Sequence, residues 1–75
     1  MWLVTIQCSD DSWGIYGKTF KAIAEKYPST LISSKKMPGD GTRIMSYQLE
    51  EVSDAEAFTD ECQGLDGFSA LFESL

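Results

Sequence analysis

The chain has 75 residues, 43% of them hydrophobic, with a formal net charge of −6 and no histidine. That length holds one small domain, residues 1–75, burying only about 60% of the surface its unfolded chain exposes. The negative charge argues against nucleic acid as a partner, and no run approaches the ~20 apolar residues of a membrane span.

Residues 2–8 alternate, with Trp2, Val4, Ile6 and Cys8 on one side and Leu3, Thr5 and Gln7 on the other. Period two and β-branched content predict a first strand with the Trp2 side facing the core. The polar stretch from Ser9 to Gly14 has turn composition, since Asp and Ser side chains bond nearby backbone N–H groups and glycine tolerates unusual backbone angles. From Ile15 the period changes. Tyr16, Phe20, Ile23, Ala24 and Tyr27 form one apolar stripe of a helix that ends before Pro28, because the residue preceding proline disfavours the helical region. Gly17 inside that helix points to a close approach by a strand or a ligand.

Residues 30–37 predict a second strand whose Lys35 and Lys36 mark it as an edge. The turn Pro38-Gly39-Asp40-Gly41 joins it to a third strand over residues 42–49. Ser53-Asp54-Ala55-Glu56 matches a capping box. After it, Ala55, Phe58, Cys62 and Leu65 trace a second amphipathic helix that ends at Gly64 or Gly67. Residues 68–75 alternate as a closing strand.

The order β-α-β-β-α-β predicts an α+β, ferredoxin-like sandwich: a four-stranded antiparallel sheet of order 4-1-3-2 with both helices on one face. The other face, carrying Leu3, Thr5, Gln7, Ser69, Leu71 and Leu75, is apolar enough to be covered by a partner. Edge pairing of two copies achieves similar burial, and oligomerisation is a usual support for so small a domain.

A strand running into Asp11-Ser12-Trp13-Gly14, then Ile15 and a helix carrying Phe20, Ile23 and Ala24, resembles the start of an ACT domain. The βαββαβ order and the chain length extend the likeness over nearly the whole sequence. The resemblance implies a regulatory or ligand-sensing module, a homodimer binding an amino-acid-like small molecule at its interface; such domains usually serve a neighbouring catalytic or DNA-binding domain, and here a stand-alone module is expected instead. It carries over to Asp11, Gly14 and Ile15, with Asp10 and Trp13 as neighbours in the same turn. These five residues, Asp10, Asp11, Trp13, Gly14 and Ile15, are the candidate ligand-binding residues. In that reading backbone N–H groups of residues 13–16 hold a ligand carboxylate and Asp11 pairs with its ammonium. Trp13 departs from the family pattern by its bulk and would line the site or close it.

Each feature has a plainer alternative. Asp10 and Asp11 also suit a helix cap, and Trp2 and Tyr16 suit the core. Lys35, Lys36 and Arg43 suit a solvated hairpin or an anion site. All six bases lie in the first 43 residues, where four acids leave +2, whereas the rest carries eight acids and no base. That asymmetry fits a solvated acidic helix, or the docking face of a small protein-binding adaptor or inhibitor that needs no ligand.

Cys8 and Cys62 occupy apolar-periodic positions and read as buried thiols in a reducing compartment. The start lacks the basic leader and apolar stretch of a signal peptide, so a cytoplasmic location is expected. Without histidine, nucleophile elbow or activated cysteine, neither catalysis nor a metal or other cofactor is expected.

Overall fold

β1 (Trp2–Ser9) places Val4, Ile6 and Cys8 in the core, in the alternation read from the sequence. The computed structural model describes residues 1–37, 39 and 41–75. β1 is followed by α1 (Asp10–Glu25), β2 (Ser29–Met37), β3 (Thr42–Leu49), α2 (Val52–Gln63) and β4 (Phe68–Ser74). The four strands form one antiparallel sheet of order β2-β3-β1-β4, the 4-1-3-2 arrangement expected.

The core lies between the helices and the middle of the sheet. Phe20 of α1 and Phe58 of α2 are both fully buried and lie 6.1 Å apart. Phe20 also meets Trp13, Tyr47 and Phe68, and Phe58 meets Tyr27 and Tyr47. Each such ring pair adds about 0.5–1.5 kcal/mol beyond the area it buries. Around the rings pack Val4, Ile6, Met45, Leu49, Ala55, Cys62 and Ala70. Both cysteines are free and buried. Burial pushes the Cys8 thiol up and that of Cys62 to about 12, which keeps them as inert thiols.

Two helix starts differ from expectation. α1 begins at Asp10, directly after β1, so residues 10–14 are helix and not a turn. Ser9 is the cap: its Oγ accepts the Ser12 N–H at 3.1 Å, and Asp10 and Asp11 place negative charge in the first turn, where the helix dipole favours it. The Asp10 N–H is taken by the Gly41 carbonyl at 2.8 Å, which ties the helix start to the β2–β3 hairpin. α2 begins at Val52 with Glu51 at the cap position and no side-chain cap bond. Ser53 therefore lies inside the helix, and the capping box does not form.

The turn at Pro38 and Asp40 lies outside the described residues. Its neighbours Gly39 and Gly41 have φ of 102° and 70°, a region natural to glycine. The helices pack on β1, β3 and β4. β2, at the sheet edge, has no buried residue and carries a register irregularity between Leu31 and Ser33. On the helix-free face Leu3 and Thr5 are half-buried, while Gln7, Ser69, Leu71 and Leu75 are exposed. No helix among the described residues is long and apolar enough to cross a membrane.

Candidate functional site

Helical spacing aligns Trp13, Gly17, Lys21 and Ala24 along one face of α1. Strand pairing aligns Arg43, Met45, Tyr47 and Leu49 of β3 with Lys36, Ser34, Leu31 and Ser29 of β2 on the helix side of the sheet. Where these rows meet, two sites arise, one at each end of α1.

At the N-terminal end, Asp10 faces two cations. Its Oδ2 lies 3.1 Å from Lys36 Nζ, and its Oδ1 lies 3.5 Å from Arg43 Nε. The Nε is shielded from water, and its contact with Asp10 is an ion pair, not a hydrogen bond. The Arg43 guanidinium lies 5.0 Å from the Trp13 ring centre, and Lys21 Nζ lies 5.8 Å from the same ring. Such cation–π contacts are worth about 0.5–1 kcal/mol at exposed sites. Trp13 thus sits between two cations, with Phe20 behind it and Gly17 beneath. A Cβ at Gly17 would meet the indole at 3.4 Å, so what approaches this glycine is Trp13 of its own helix, not the strand or ligand expected.

Of the five candidate ligand residues, the structure brings Asp10 and Trp13 into this cluster. Asp11, Gly14 and Ile15 point elsewhere: all three are exposed, Ile15 by 72%. The amides of residues 13–16 lie within α1 and bond back to carbonyls four residues earlier, so they do not form a free nest for a carboxylate. What the sequence reading missed is the joining of Lys36 and Arg43 to Asp10. Arg43 alternates with Met45, Tyr47 and Leu49, and that period-two signal places it on the helix side.

Towards the C-terminal end of α1, an open groove of about 450 Å³ lies between the helix and the start of β2. Lys21, Ala24 and Glu25 form its helix wall, Ser29 and Leu31 its strand wall, with Tyr47 and Tyr27 between. Tyr27 is held in place because its hydroxyl donates to Glu61 of α2, which also receives Lys26 Nζ. Glu61 is lowered by these two bonds, and Tyr27 is pushed up to about 12, chiefly by its bond to the carboxylate. No group of acidic or cysteine side chains fit to hold a metal ion occurs among the described residues.

No family model and no curated protein matches the sequence. Solved structures do match the fold. The ACT domain from the GTP pyrophosphokinase of Chlorobium tepidum superposes with a TM-score of 0.65, covering 96% of this chain and 95% of that one at 9% identity. The fold is ACT-like. An uncharacterised NIPSNAP domain protein from Burkholderia xenovorans shares the architecture less closely, with a TM-score of 0.58, 12% identity and coverage of 100% of this chain and 94% of that one. At these identities the likeness is one of architecture.

Proposed function

We propose that this chain is a small, non-enzymatic regulatory module of the cytoplasm that binds an amino-acid-like molecule as a homodimer. Asp10 and Trp13 line the end of α1 where the ligand is met, with Asp11, Gly14 and Ile15 exposed beside them. The observation that carries the reading is the charge balance at that end. One carboxylate, Asp10, faces Lys36 and Arg43, with Lys21 on the far side of Trp13. The surplus positive charge and the flat indole suit a ligand carboxylate attached to an apolar or planar group. Asp11, exposed one residue on, is free to receive an ammonium.

A thermal-shift screen of the twenty amino acids tests this. A ligand at about a hundred times its dissociation constant adds about 2.7 kcal/mol to stability, a rise of many degrees for a domain of this size. Arg43→Met should abolish the rise. A flat response to every amino acid from an intact dimer would refute the reading. The alternative, a ligand-free adaptor, draws on the exposed acids Glu50, Glu51, Glu56 and Asp60 at and along α2. A 1:1 protein complex that weakens steeply with salt and survives Asp11→Ala would favour it.

A further inference from the structure

Strand pairing orders the side chains on the helix-free face of the sheet into rows. Glu73, Leu3, Gln48 and Thr30 form one row across it. Further along the strands, Ser69, Gln7, Ile44 and Lys35 form another. Between the rows lies Leu71, 57% exposed. Leu31 faces the helices, so Ile32 next to it turns to this side, 51% exposed. Of the chain's six basic and twelve acidic residues, the described strands turn only Lys35 and Glu73 to this face. Neither makes an ion pair among the described residues. Apolar side chains among neutral Ser, Thr and Gln, with charge confined to the margin, are the make-up of an interface core and not of a solvated face.

The two charges stand at opposite corners of the face, Glu73 on the outer strand β4 and Lys35 on the outer strand β2. Three strand gaps, about 14 Å, separate them across the sheet and four ladder steps, about 13 Å, along it, so the face between them is nearly square. A twofold axis along the other diagonal, from Thr30 to Ser69, exchanges these corners. Two copies laid face to face about that axis set each Glu73 opposite Lys35 of the other copy. The same rotation lays Leu71 over Gln7 and Ile44 of the second copy and Leu3 beside its Ile32. The strands of the two sheets then cross at close to a right angle, one of the two ways in which sheets pack. With the axis along the strands instead, Glu73 would meet Thr30 and Lys35 would meet Ser69, and neither charge would find a partner. We infer that this face is covered by a second copy of the chain, stacked orthogonally, with Lys35 and Glu73 paired at the rim and Leu3, Ile32, Ile44 and Leu71 within. The shared footprint is about 20 Å square, so the contact buries on the order of 1,000 Å² in all, the lower end of specific interfaces. It leaves the β2 edge free and uses none of the helix-start residues, so it holds whether or not a ligand binds there.

Sedimentation equilibrium of the full chain from micromolar to millimolar concentration tests this. A doubling of mass with concentration is expected, weakened by added salt. Glu73→Lys and Lys35→Glu should each weaken the doubling about tenfold, because the twofold axis turns two attractive pairs into two repulsive ones. The double variant exchanges the charges and should return to within about twofold of the wild type. Leu71→Lys should abolish the doubling. All three positions are exposed, so unchanged melting temperatures will show intact folds. Leu71 and Glu73 lie on β4, at the opposite edge of the sheet from β2, and a contact through β2 alone would ignore them. A doubling that survives Leu71→Lys, or a double variant no better than either single one, overturns the inference and leaves edge pairing as the route to a homodimer. A chain that shows no doubling at millimolar concentration overturns it too, and gives the face to a partner of different sequence.

Discussion

Single residues in this chain separate what folding requires from what binding would require. Gly67 has φ of +82°, and a Cβ there would sit 1.9 Å from Ser12 Oγ and 2.9 Å from Ser12 Cβ. The hydroxyl can rotate away but the Cβ cannot, and the backbone angle alone costs a side chain about 1–2 kcal/mol. Gly67→Ala should therefore destabilise by at least about 2 kcal/mol, read as a lower melting temperature. Gly14 is the opposite case, a helical glycine with nothing within 4 Å of its missing Cβ. Gly14→Ala should stabilise the fold by about 1 kcal/mol, or several degrees. If a ligand approaches the helix start, the same change will weaken binding while raising stability, an outcome that packing alone does not produce. Tyr27 offers a pH test. Its hydroxyl is raised in the folded state, so its share of stability is whole below the ordinary 10 and is lost as pH climbs towards about 12. Ultraviolet titration should show Tyr27 and Tyr47 both ionising late, Tyr47 because it is desolvated, and Glu61→Ala should bring Tyr27 alone back towards 10. Glu61 itself is lowered, so its share is present above 4.5 and is lost as pH falls below that value.

At the scale of elements, periodicity carried most of the fold, and local polarity misled where it competed with a helix start. The alternation of Trp2, Val4, Ile6 and Cys8 and the stripe through Phe20 and Ile23 were readable because burial on one face imposes them. Ser9-Asp10-Asp11-Ser12 looked like a turn because the same side chains serve turns and helix caps. The deciding signal was a serine followed by two acids, which is also the charge pattern of a first helical turn. At α2 the capping-box spacing was present, yet Val52 enters the helix ahead of it with Glu51 as cap. A propensity worth about a kilocalorie yields readily to the tertiary packing that places Ala55 and Phe58 in the core. The candidate site was legible only in part. Asp10 and Trp13 stood out locally, but their union with Lys36 and Arg43 depends on strand register and on the Gly41 carbonyl meeting the helix start. A linear reading of the hairpin contains neither.

For the whole molecule, the uneven cover of the sheet matters most. α1 and α2 shield β1, β3 and β4 and leave β2 overhanging, with Leu31, Ile32 and Met37 exposed by 51%, 51% and 42%. An open edge with apolar side chains is a template for another strand, and a domain of this size gains from the extra burial. The proposed homodimer follows most simply from antiparallel pairing of β2 with its copy, which continues the sheet across a twofold axis. Light scattering should give about twice the chain mass of 8.3 kDa. Ile32→Lys, placed beside the strand irregularity and already half in water, should return the mass to that of one chain without unfolding it. A wild-type chain that stays monomeric at millimolar concentration, with or without ligand, would exclude the β2 interface and leave β2 an edge guarded by Lys35 and Lys36.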